Sequence, residues 1–115
     1  MTLEERIAAL FASGRPERTP ENFALLAEFR AALNRGEIRV AEPEGERWRV
    51  HLWVRQAILL HVVLGVLQDT SSDGKGVSFE LDTLPTRTFR VEDQVRLPPG
   101  GSWIRDGAYL APGVI

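Results

Sequence analysis

The sequence predicts an α+β fold, in which a small helical N-terminal domain carrying a β-hairpin leads into the start of a parallel β-helix built on hexapeptide repeats. Three observations predict it. Two stretches near the N-terminus each combine a helix cap with a single apolar stripe. The segment Trp48 to Leu67, WRVHLWVRQAILLHVVLGVL, is apolar on nearly every side and is therefore expected to be buried. From Ile104 onward, an aliphatic residue, a glycine and a small or aliphatic residue recur after six positions.

Thr2 with Glu5 forms a capping box, and Leu3, Ile7, Leu10 and Phe11 share one helical stripe until Gly14 and Pro16 stop it, so the first helix is placed at Leu3 to Ser13. Thr19-Pro20 repeats the punctuation, an N-cap followed by proline at the first helical position, and opens a second helix at Pro20 to Arg35 that ends at Gly36. Its stripe of Phe23, Leu26, Phe29 and Leu33 reads as a core face. Two β-prone runs, Ile38 to Ala41 and Arg47 to Val50, flank Glu42-Pro43-Glu44-Gly45-Glu46 and predict a hairpin with a loop of about five residues. Glu42, Glu44 and Glu46 read as solvated carboxylates on that turn, not as a metal site.

The apolar segment predicts a helix from His51 to Leu64, with Trp53, Ala57 and Leu60 on one face and His51 with Arg55 on the other. Its second half suits a strand as well as a helix, and Gly65 weakens either, so a ragged end is expected there. A bilayer span needs about 20 apolar residues, and Arg55 with Gln56 interrupts the run, so no membrane partner is expected. Gln68 to Gly76 is a polar loop by composition, Val77 to Leu81 a short strand, and Thr86 to Val95 an extended segment anchored by Phe89 and Val91. These elements divide the chain into a domain at 1–95, a linker at 96–103 and the start of the repeat at 104–115.

Composition narrows the chemistry. A length of 115 residues allows one domain at most, and 43% hydrophobic with 26% charged residues is ordinary for one that folds. A net charge of -2 offers no basic footprint for nucleic acid. The absence of cysteine removes disulfides, thiolate metal sites and cysteine nucleophiles. Ser71, Ser72 and Ser102 lie in a loop or linker without a nucleophile elbow, so a serine hydrolase is not indicated. Met1 is followed by an acidic amphipathic pattern in place of a basic patch and apolar core, which leads to a cytoplasmic expectation. His51 and His61 are candidates for acid–base work, but a histidine on an otherwise apolar helix is more often a hydrogen-bonded core residue, and neither is assigned a role.

The tail reads Ile104-Arg105-Asp106-Gly107-Ala108-Tyr109, then Leu110-Ala111-Pro112-Gly113-Val114-Ile115. In a parallel β-helix the aliphatic side chains point inward and the glycines take the corners. Repeat units bury their apolar faces only by stacking on neighbours. Two hexapeptides do not close one coil, so the expectation is the front part of a longer polypeptide, or a tail completed on another chain; an ordinary hairpin or extended tail is the alternative.

Taken together, Arg39-Val40-Ala41-Glu42, Trp48 through Leu60, Val95 to Pro99 and Ile104 to Pro112, in that order and spacing, resemble the N-terminal region of bacterial tetrahydrodipicolinate N-succinyltransferases. The resemblance implies an α/β domain before a left-handed parallel β-helix. It also implies a homotrimer that moves succinyl from succinyl-CoA to a ring-opened cyclic imine dicarboxylate on the way to diaminopimelate and lysine. In that family Arg96 matches the substrate-binding arginine, a fork of donors suited to a carboxylate. Read without the family, Arg96 pairs with a surface acid such as Asp93. The family's acidic active-site residues and CoA-binding coils lie beyond Ile115, so the catalytic residues are unknown and no metal is implied. Leu52 stands where the family commonly has a polar residue, and Gly100 to Trp103 is longer than usual. The alternative to an inactive substrate-capping domain is a non-enzymatic interaction or oligomerisation module, docking through its apolar tail.

Overall fold

A threonine opens each of the first two helices. In the computed structural model, which describes residues 1–115, helix α1 spans Leu3–Ala12 and the Thr2 hydroxyl accepts from the Glu5 amide at 3.1 Å. Helix α2 spans Pro20–Asn34, with Thr19 accepting from the Asn22 amide at 3.1 Å and Pro20 in the first turn, where its missing N–H costs nothing. Both end one residue earlier than expected, because Ser13 and Arg35 act as caps. Helix α3 spans Leu52–Leu64.

The three helices share one core of Ile7, Leu26, Phe29, Val54, Ala57, Leu60 and Leu64. α1 lies against α3, while Arg6 on α1 reaches Glu28 on α2 through two bonds of 2.8 and 2.6 Å. Phe29 meets Trp53 edge to face at 6.0 Å, an arrangement that adds to the area both bury.

The segment expected to be buried all round is buried on one stripe only. Val54, Ala57, Leu60, His61 and Leu64 face the core, whereas Leu52, Ile58, Leu59, Val62 and Val63 are exposed. With just α1 and α2 to pack on, a single helix can cover one side of itself. Its end is sharp where a ragged one was expected. Gly65 leaves the helix in an extended conformation (φ -72°, ψ 148°). Arg18 donates to the Leu64 carbonyl, and Asp82 accepts from the Val66 amide at 3.0 Å, so both sides of the break are satisfied.

The first hairpin also differs from expectation. β1 is Ala41–Glu44 and β2 is Arg47–Val50, with Ala41 opposite Val50 and Glu44 opposite Arg47. The connection is a two-residue turn, Gly45-Glu46, in place of a five-residue loop. Positive φ at Gly45 (63°) but not at Glu46 is the type II′ pattern, whose twist matches that of paired strands. Pro43 sits within β1 because a two-stranded ribbon has a free edge on each strand, where proline is tolerated.

A second antiparallel ribbon pairs β3, Leu67–Asp69, with β4, Phe79–Leu81. The polar loop read after the central helix is therefore largely the connection of a hairpin, whose first strand borrows residues from the end of the apolar segment. Beyond it the chain is irregular. A short 3₁₀ turn at Val91–Asp93 leaves Val91 exposed, so it does not anchor the segment. Phe89 lies under the Arg87 guanidinium at 4.5 Å. The architecture is thus three helices with two small antiparallel ribbons, an α+β arrangement.

Candidate functional site

Arg96 lies on the irregular stretch after the 3₁₀ turn. Gln94 closes that turn in the left-handed region (φ 57°), a conformation uncommon for a residue with a side chain. This reverses the chain so that it runs beside the tail. The Gly113 amide donates to the Gln94 carbonyl at 2.7 Å and the Arg96 amide to the Val114 carbonyl at 2.9 Å. Arg96, Leu97, Pro98, Pro99 and Ile115 line an open recess of about 420 Å³. The Arg96 guanidinium is exposed and makes no ion pair. Asp93, the acid that could have held it, instead accepts from the Arg90 amide at 2.8 Å. An exposed guanidinium on a backbone fixed by two hydrogen bonds presents its fork to incoming carboxylates.

The tail that supports Arg96 is itself held to α2. The Asp106 carboxylate accepts from Arg30 Nε at 2.8 Å and from Asn34 Nδ2 at 2.6 Å, while the Asn34 side-chain oxygen accepts from the Gly107 amide at 2.7 Å. Arg30 also donates to the Thr83 carbonyl at 3.1 Å, and Asp106 donates its amide to the Pro85 carbonyl at 2.8 Å. Two residues on, Arg87 donates to the Ala108 carbonyl at 2.6 Å. The Tyr109 ring lies over Gly36, where a Cβ would come within 3.2 Å of it. Gly107 and Gly113, six positions apart, both sit at turns with positive φ of 110° and 91°. None of these links is visible in the sequence, where Asn34 reads as a residue in the last turn of a helix and Asp106 as part of a repeat.

The histidines separate clearly. His51 precedes α3 and its Nε2 lies 2.9 Å from Glu42, beside a small recess lined by Arg39 and Trp53. His61 is buried, and its Nδ1–H donates to the Ala57 carbonyl at 2.7 Å while Nε2 has no partner. Burial holds its pKa below the usual histidine value; the helical carbonyl opposes this shift and the Arg30 charge adds to it. A buried neutral imidazole bonded to its own helix is a core residue. Glu44 and Glu46 are exposed at the hairpin turn, and no group of three or more potential ligands converges on a metal position.

A family model described as "Tetrahydrodipicolinate N-succinyltransferase N-terminal" matches residues 2–64, which covers all three helices and the first hairpin. The 2,3,4,5-tetrahydropyridine-2,6-dicarboxylate N-succinyltransferase of Granulibacter bethesdensis is 37% identical over 90 residues, 72% of this chain and 31% of that protein. The protein of the same name from Rickettsia prowazekii is 34% identical over 97 residues, 79% of this chain and 34% of its own. That from Coxiella burnetii is 32% identical over 87 residues, again 72% of this chain and 31% of the relative. The chain thus spans about a third of the length of the curated relatives it matches.

Proposed function

This chain belongs to the tetrahydrodipicolinate N-succinyltransferase N-terminal family, and on that premise we propose that it is the substrate-capping domain of an acyltransferase that moves succinyl from succinyl-CoA to tetrahydrodipicolinate. Arg96 binds a substrate carboxylate. The observation that carries this is a guanidinium without an ionic partner, on a backbone held by the tail, at the mouth of a recess. A dicarboxylate offers two planar acceptors, and one forked donor fixes both the position and the rotation of whichever it holds. The chain's part in the reaction is to hold and orient the acceptor substrate, so that its amine is presented to the thioester and not lost to solvent.

In this reading residues 104–115 begin a left-handed β-helix on hexapeptide repeats, 96–103 is the linker to it, and the coils that bind succinyl-CoA lie outside this chain. The protein works as a homotrimer in the cytoplasm, within lysine and diaminopimelate biosynthesis, and needs no metal. The 115-residue chain alone is inactive. The exposed outer stripe of α3, with Leu52 60% and Val63 66% accessible, supports an assembly in which another surface covers it.

The test is Arg96→Ala in an enzyme that carries this domain together with the remaining length of its relatives. Loss of a charge-assisted contact of about 1.5–3 kcal/mol predicts a KM for the dicarboxylate raised by about 10- to 150-fold, with KM for succinyl-CoA unchanged. An unchanged KM for the dicarboxylate refutes the assignment. The same α3 stripe favours a second reading, a non-enzymatic interaction or oligomerisation module, in which Arg96→Ala changes nothing.

A further inference from the structure

We infer that Arg30, Asn34 and Asp106 form a clamp that positions Arg96, so that the C-terminal turn of α2 sets where the guanidinium points. Asp106 is 76 residues from Arg30 and 72 from Asn34 in the chain, yet one carboxylate takes a donor from each. The Arg30 and Asp106 side chains are only 13% and 23% exposed, so their bonds are well shielded from water. Asn34 is used twice, donating to Asp106 and accepting from the Gly107 amide, which fixes both the side chain and the backbone of the tail's first turn.

The consequence reaches Arg96 through chain entropy. The only bonds that align the Arg96 segment with the tail are Gly113 to Gln94 and Arg96 to Val114, and residues 111–115 are all exposed. Two solvent-exposed backbone bonds are too few to hold a free tail in register. With 104–109 held to α2 by the clamp, and further by Arg87 and by Tyr109 over Gly36, only a short run is left to close the loop to Gly113. Closing a short loop from a fixed point costs far less entropy than recruiting a loose strand. Without the clamp, the Arg96 backbone loses its partner and the guanidinium samples many directions.

This inference rests on the reading of Arg96 as a carboxylate ligand, and a charge swap tests it in the 115-residue chain. Asn34→Asp sets a carboxylate against Asp106 while keeping an acceptor for the Gly107 amide. Adding Asp106→Asn restores one donor and one carboxylate in reversed positions, with an oxygen left for Arg30. Amide hydrogen exchange followed by NMR is expected to show the Arg96 and Gly113 amides exchanging about tenfold or more faster in Asn34→Asp, with core amides of α1 to α3 unchanged and protection recovered in the double variant. If Asn34→Asp does not fold, Asp106→Ala removes the bonds from Arg30 and Asn34 to that carboxylate, and the same faster exchange at Arg96 and Gly113 is expected.

Unaltered protection at Arg96, or no recovery in the swap, overturns the clamp. In parallel, the Arg96 Nε–H resonance is followed during titration with pyridine-2,6-dicarboxylate. Weaker binding in Asn34→Asp, recovered in the swap and abolished in Arg96→Ala, completes the positioning role. If exchange behaves as expected but the dicarboxylate never perturbs Arg96, the clamp stands and the carboxylate reading of Arg96 falls.

Discussion

Gly65→Ala is expected to destabilise this protein, against the usual sign for such a change. Gly65 has φ -72° and ψ 148°, an extended conformation open to any residue. At a position of that kind, exchanging glycine for alanine stabilises by about 0.4–1 kcal/mol, because the unfolded chain loses freedom. The surroundings reverse the expectation. An added Cβ would lie 2.8 Å from the His61 carbonyl oxygen, 2.8 Å from the Thr83 hydroxyl and 3.0 Å from the Leu81 Cβ. Nothing there is the loose end of a flexible side chain. The Thr83 hydroxyl is buried and donates to that same His61 carbonyl at 2.5 Å, so moving it breaks the bond.

Overpacking of a tight site costs about 1–3 kcal/mol. A buried donor left without its acceptor costs about 1–3 kcal/mol. Set against the backbone gain, the net loss is about 1–6 kcal/mol, and the melting temperature falls on the order of 10 °C. Urea titration followed by far-UV circular dichroism measures the difference directly. A midpoint equal to or above that of the parent protein would show that the contact at Gly65 yields easily, and the packing argument would be wrong.

Two further predictions concern pH. His61 is buried with its pKa held below 6.5, beside Phe29 and with Arg30 and Asp106 as its charged neighbours, so the unfolded state binds the proton more readily. Stability is therefore full above pH 6.5 and declines as pH falls toward the folded-state value, and His61→Leu should flatten that part of the profile in denaturant midpoints measured across it. The Asp82 carboxyl is pulled from 3.8 to about 2, first by the hydrogen bond from Arg18 and then by that from the Val66 amide. Its contribution is present above 3.8 and is lost as pH descends toward about 2; Asp82→Asn should remove this acid-limb dependence, and an unchanged limb would show that Arg18 and Asp82 do not cap α3 as described.

Much of the helical part was legible from residue order. Thr2 and Thr19 are caps, Pro20 stands at a first helical turn, and the stripes through Ile7, Leu26 and Phe29 are core, all as their spacing requires. The β1–β2 hairpin was foreseen, but its register was not. Pro43 looked like loop when it belongs to a strand, because the tolerance of a ribbon edge for proline depends on having no third strand alongside. β3 was hidden for a similar reason. Leu67 continues an apolar run that reads as helix until Gly65 meets Thr83 and Leu81, and no local pattern announces that meeting. Val91, taken for an anchor by its hydrophobicity, has nothing to bury against and is 92% exposed.

The candidate site divides in the same way. Arg96 was singled out by its residue type and by family likeness, whereas its lack of an ionic partner and the choice of Asp93 to bond the Arg90 amide appear only in three dimensions. Sequence by itself determined the caps and core faces of α1 and α2, the absence of thiol chemistry and the family, because each depends on residues a few positions apart or on their order along the chain. Tertiary structure decided which face of α3 is covered, where the apolar run breaks, and that Asp106 reaches back to Arg30 and Asn34. Those outcomes turn on contacts between groups tens of residues apart, and such contacts leave no period, since the entropy of bringing them together is offset only when the whole domain folds.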